Sequence, residues 1–182
     1  MRTKKMILLA FVAILISSFK KEFERYELPE GLIPYELGQI ISFIDSEGQA
    51  IDLIVIENNT EWIQDPDGAF GNYTSYEKKT IILKSEANNL EIKLQINWSS
   101  TDRLLFTIFI NNSWEFALTS DKKGKFLYNG YNYFYESLEI NGKVYYDVVE
   151  HQYHVFKQLF YNKTYGILQI NMGGENFLTI NH

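Results

Sequence analysis

The chain has 182 residues, 46% hydrophobic and 22% charged, with no cysteine. That suits one globular domain able to bury its own core, and it excludes disulfides and thiolate metal sites. The net charge is −6, and beyond residue 18 there are 14 basic and 23 acidic side chains, a balance that argues against nucleic acid or an anionic lipid surface as partner.

Residues 1–18, "MRTKKMILLAFVAILISS", place Arg2, Lys4 and Lys5 ahead of an apolar stretch from Met6 to Ile16 and end on two small serines. This is the build of a secretory signal peptide. The stretch is shorter than the roughly 20 residues that cross a bilayer, so no transmembrane helix is expected after signal removal. The position that a bacterial lipoprotein gives to its lipid-bearing cysteine holds Phe19, which has no nucleophile. The expectation is export to the periplasm, cell envelope or medium without a lipid on that residue. Residues 19–35, "FKKEFERYELPEGLIPY", are charged and broken by Pro29, Gly31 and Pro34, and read as a flexible tether.

From residue 36 to 182 the pattern is period two, with turn signals at short intervals. "GQIISFID" and "AIDLIVIEN" flank a turn at "SEGQ", and "TIILKSE" and "LEIKLQINW" flank "ANN". Leu90, Ile92, Leu94, Ile96 and Trp98 share one face of a half-buried strand. Residues 63–79 break this rhythm and read as a long loop. "RLLFTIFIN" meets "SWEFALTS" at Asn111-Asn112, and "YFYESLEI" meets "KVYYDVVEH" at Asn141-Gly142. Asn-Gly supplies the positive φ angles of a type I′ hairpin turn. "VFKQLFYN", "GILQIN" and "NFLTI" complete the chain. About ten short strands without an amphipathic helix predict an all-β fold, an antiparallel β-sandwich or partly open barrel.

"IPYELGQIISFID", "LEINGKVYYDVVEH", "LFYNKTYGILQIN" and "ENFLTI" together resemble the small lipoprotein-like and secreted β-rich proteins common in the Bacteroidetes phylum, most of which have no assigned activity. The quoted features are strand starts and turns. The resemblance implies a fold and an exported location and brings no catalytic residue with it.

The sequence has no G-x-S-x-G, P-loop or dinucleotide fingerprint, so no catalytic residue or cofactor is assigned. Glu150, His151 and His154 lie in a strand-like stretch, where an odd separation sends the two imidazoles to opposite faces, and no metal is assigned to them. Asp65 and Asp67 read as turn formers rather than calcium ligands. Aromatic residues make up 16% of the chain. Tyr131, Tyr133 and Tyr135 alternate, which sets them on one strand face, with Phe134, Leu138 and Ile140 on the core side. A tyrosine face can stack on a sugar or grip a protein, so these three are the candidate ligand-binding residues and the expected partner is a protein or a glycan. The reading is a non-catalytic binding or structural module; its alternative is a carbohydrate-binding protein or a hydrolase using carboxylates that no motif identifies.

Overall fold

The computed structural model describes residues 24–65, 74–154, 157–173 and 176–181. The expected signal segment and residues 19–23 lie outside them. Twelve strands form one all-β sheet: β1 (Glu24–Tyr26), β2 (Ile40–Asp45), β3 (Ala50–Asp65), β4 (Thr74–Ser85), β5 (Leu90–Ser100), β6 (Arg103–Ile110), β7 (Trp114–Asp121), β8 (Asn132–Ile140), β9 (Lys143–His154), β10 (Lys157–Asn162), β11 (Gly166–Gly173) and β12 (Asn176–Ile180). Their order is β7-β6-β5-β4-β3-β2-β12-β11-β10-β9-β8, antiparallel throughout, with β1 added in parallel to β4. Among the described residues no helix is long and apolar enough to cross a membrane.

The sheet curls until its two ends nearly meet, as in a barrel. Phe126 bridges Ser120 of β7, the Leu127 N–H donates to the Thr119 carbonyl at 2.8 Å, and Asn132 Nδ2 of β8 donates to the Leu127 carbonyl at 3.0 Å. Residues 126–127 thus stand between the first and last strands of the path. Closure disposes of exposed sheet edges, which otherwise invite association.

The alternation read in β5 is real: Leu90, Ile92, Leu94, Ile96 and Trp98 are buried, and Glu91, Lys93, Gln95 and Asn97 are half-buried. The inner faces of the neighbouring strands add Phe43, Leu53, Ile81, Leu83, Leu104, Ile108, Leu159 and Ile170. At the Asn141-Gly142 turn both φ angles are positive, 51° and 74°, as a type I′ turn requires.

Two expectations need correction. The described part of the tether is not loose chain. Residues 24–26 pair with Thr74–Tyr76, Tyr26 packs on Trp98 with ring centroids 5.4 Å apart, and Leu32, Ile33 and Tyr35 are buried. Tyr161 Oη donates to the Leu32 carbonyl and the Ile167 N–H donates to Tyr35 Oη, both at 2.7 Å. The segment plugs the barrel, because its few apolar residues find a buried site far along the chain. Nor is 63–79 one long loop: Ile63–Asp65 and Thr74–Lys79 extend the β3–β4 ladder, with Asp65 opposite Thr74. Residues 66–73, which include Asp67, lie outside the described residues.

Two glycines separate backbone strain from steric conflict. At Gly142 an added Cβ would meet open space, whereas at Gly166 (φ 79°) it would lie 2.2 Å from Tyr35 Oη. Gly142→Ala is expected to cost about 1 kcal/mol, for the left-handed backbone alone. Gly166→Ala should cost clearly more and lower the urea midpoint further. Equal midpoints would refute the close seating of Tyr35 on β11.

Candidate functional site

The sheet opens where the β8–β9 hairpin departs from it. Pairing of β9 with β10 ends at Val149 opposite Tyr161, while pairing with β8 continues to Lys143 opposite Ile140. Just past the divergence stands Asp147, a non-glycine residue at φ 52° inside a strand. A left-handed residue there turns the ribbon, and such conformations persist only where surrounding contacts enforce them. One of those contacts is Asn162, whose Nδ2 donates to the Tyr146 carbonyl at 3.2 Å while its Oδ1 accepts the Tyr165 N–H at 2.8 Å.

Between the diverging hairpin and the turns facing it lies a cleft of about 670 Å³. One wall is the hairpin, with Phe134, Glu136, Tyr146, Asp147 and Val149. The other is built from Gly124–Phe126 and Asn162–Thr164. Phe126 is fixed in place by its ring contacts with Phe106 (5.2 Å) and Tyr161 (5.7 Å). Asp121 holds the first turn: its Oδ1 accepts the Lys123 and Lys125 N–H groups at 2.9 and 2.8 Å. The Lys125 bond, followed by the Lys123 bond and the nearby Lys123 and Lys163 charges, outweighs the cost of burial and lowers the Asp121 carboxyl below its ordinary pKa.

The apolar groups of this cleft are not fully covered. Phe134 is 49% and Tyr146 68% exposed, although Val148 and Val149 beside them are buried. Lys125 and Lys163 on one side and Glu136 and Asp147 on the other give the lining both signs of charge. Among the described residues the ion pairs are Lys78–Glu61, Lys84–Glu86 and Arg103–Asp102, so none joins the charges of the cleft.

Tyr133 and Tyr135 lie near one another on β8, and Tyr131 stands just before the strand. Tyr131 precedes β8 in a bend and sets its ring 6.3 Å from that of His151. Tyr133 is 45% exposed and pairs with Glu150. Tyr135 lines the cleft, and its hydroxyl donates to Glu150 Oε2 at 2.5 Å. That bond, reinforced by burial, pushes the Tyr135 phenol up to about 12. The other Glu150 oxygen accepts from Gln158 Nε2 at 2.9 Å. On the core side of β8, Ile140 is buried and Leu138 packs on the core, but Phe134, expected there, faces the cleft. Strand parity identified its face; it could not show that the ribbon leaves the core. The signal for the rest of the site was equally faint, since Lys125 and Lys163 lie in short turns with no motif around them.

His151 is buried on the opposite face of β9 from Glu150. Asn132 Nδ2 is committed to a carbonyl, so Asn132 Oδ1 accepts from His151 Nδ1 at 2.7 Å and fixes the proton there. Phe116 meets the imidazole edge-on at 6.1 Å. Among the described residues no group of three His, Asp or Glu side chains could hold a metal ion. No family model, curated protein or solved structure matches this chain.

Burial lowers the pKa of His151 below 6.5. The folded state therefore binds this proton less tightly than the unfolded chain does. Stability is full above the ordinary imidazole range and falls as pH drops below about 6.5. Urea midpoints of the wild type should decline between pH 7 and 5, and His151→Gln should flatten that decline. An unchanged pH slope in the variant would show that His151 titrates normally in the fold.

Proposed function

We propose that the protein is an exported, non-catalytic binding module that seats its ligand in the cleft beside the β8–β9 hairpin. The carrying observation is the cleft itself: about 670 Å³, within the range of roughly 300–1,000 Å³ usual for small-molecule sites, with aromatic side chains held partly open to solvent. A chain with no use for that surface gains by burying it, since apolar area removed from water contributes about 25 cal/mol per Å². Export is supported by the basic head and short apolar stretch of residues 1–18, and Phe19 supplies no thiol for a lipid.

A second reading, hydrolysis, is favoured by one observation. Tyr135 lies opposite Val148 and Ser137 opposite Tyr146, which sets Glu136 against Asp147 on the hairpin wall. Paired carboxylates serve glycoside hydrolysis. Both side chains are exposed, however, whereas a general acid is made by enclosing a carboxyl in apolar surroundings. Binding is the better-supported reading.

The environment-sensitive neutral dye 6-propionyl-2-dimethylaminonaphthalene, an aromatic plate with a carbonyl acceptor, tests occupancy of the cleft. The folded wild type should bind it saturably at one site with enhanced fluorescence. Thr164→Trp, which fills the cleft from its exposed rim, should remove most of that signal without lowering the melting temperature. Absent dye binding, or binding indifferent to the tryptophan, would overturn the assignment.

A further inference from the structure

We infer that the ligand of the cleft is a neutral oligosaccharide, a deduction that rests on the cleft being the binding site. The lining chemistry carries it. Phe134 and Tyr146 present large ring surfaces to solvent on the hairpin wall, and Phe126 and Tyr135 add two more rings. A pyranose has an apolar C–H face and a rim of hydroxyls. The face packs on an aromatic ring, whose π surface is electron-rich and attracts the polarised C–H groups. The rim needs donors and acceptors at once, because each hydroxyl gives one hydrogen bond and accepts others.

The cleft offers both kinds. Lys125 and Lys163 are donors on the turn wall, and Glu136 and Asp147 are acceptors on the hairpin wall. Two cations and two anions leave the lining with no net charge. An anionic ligand drawn to the lysines meets the carboxylates, and a cationic one meets the lysines. A wholly apolar ligand strips water from four charged groups and returns no hydrogen bond to any of them. A neutral polyol satisfies both walls. The charges are available for it, since no ion pair joins them across the cleft. The acidic remainder of the chain, net −6 overall, further disfavours polyanionic glycans.

The site is also built in advance. Asn162 holds the Tyr146 backbone, Asp121 holds the Lys125 turn, and an added Cβ on Gly124 would lie 3.1 Å from Lys163 Nζ, so the lysine head already rests over that turn. Ordering costs on binding are correspondingly small.

The test is a printed array of neutral and acidic oligosaccharides probed with the folded protein, followed by calorimetric titration of the strongest neutral hit at 50 and 500 mM NaCl. Saturable binding of a neutral oligosaccharide, changed less than about twofold by salt, is expected. Phe134→Ala and Tyr146→Ala should each weaken it tenfold or more, and Asp147→Asn several-fold, with melting temperatures retained because these side chains are exposed. No neutral hit, or hits confined to uronate or sulfated glycans with affinity that collapses in salt, would overturn the inference. If the dye still binds at the cleft in that case, the ligand class alone fails. If the dye fails as well, the cleft is not a binding site. Release of reducing ends from the bound glycan, abolished by Glu136→Gln, would replace simple binding with hydrolysis.

Discussion

Two buried phenols tie the segment before β2 to the β10–β11 hairpin. Tyr35 and Tyr161 are almost wholly enclosed, and desolvation lifts both hydroxyls far above their ordinary pKa, so each stays neutral and keeps its proton. Tyr161 uses that proton to satisfy the Leu32 carbonyl, and Tyr35 offers its oxygen to the Ile167 N–H. Either backbone group left unpaired in the core would cost about 1–3 kcal/mol. The bonds span 129 and 132 residues of sequence. They convert the segment before β2 from loose chain into the plug of the barrel, and they pin the turn between β10 and β11. Asn162 at the end of β10, with Lys163 and Thr164 in that turn, forms part of one wall of the cleft. The same plug presses Leu32 against Gly124, where an added Cβ would lie 2.3 Å from Leu32 Cδ2. Both parts of the turn wall are thus positioned by one buried segment.

The opposite wall follows from where the sheet stops. Beyond Val149 the β9 strand has β8 on one side and no ladder partner from β10 on the other. A ribbon freed on one edge twists more strongly than a strand held on both. The left-handed Asp147 takes up that change of direction, and Asn162 stands in for the missing ladder with a side-chain bond to the Tyr146 carbonyl. Val148 and Val149 remain buried at the bend while Phe134 and Tyr146 are carried clear of the core. Strain and exposed apolar surface therefore coincide at one place. Both lower stability, and proteins commonly accept such losses at sites of function.

Sequence periodicity was a good guide wherever a strand had two neighbours and one wet face. Leu90 to Trp98 alternates cleanly for that reason, and the Asn141-Gly142 turn was legible because positive φ narrows the residue choice so sharply. It failed where burial depends on a remote partner. Leu32, Ile33 and Tyr35 sit among prolines, glycine and glutamates, so nothing local marks them as core. It failed differently at Phe134. Parity assigned the right face of β8, but that face turns from core to cleft within a few residues, and a change in ribbon direction leaves no mark in an alternating pattern. β1 was invisible because three residues, Glu24, Arg25 and Tyr26, are too few to show any period.

The root of the hairpin explains why so bent an element can hold a defined shape. On one face of β9, Glu150 ties β8 to β10 through Tyr135 and Gln158; on the other, His151 is bonded to Asn132 at the start of β8. Glu150 and His151 are both buried, and each has specific partners, so displacement of β9 here would strand polar groups away from water. Such fully partnered polar pairs specify one arrangement where apolar contacts alone tolerate several. The hairpin is accordingly fixed at its base, turned at Asp147 and exposed beyond it. Its aromatic side chains are offered to solvent from a rigid support, which is what low ordering cost on binding requires.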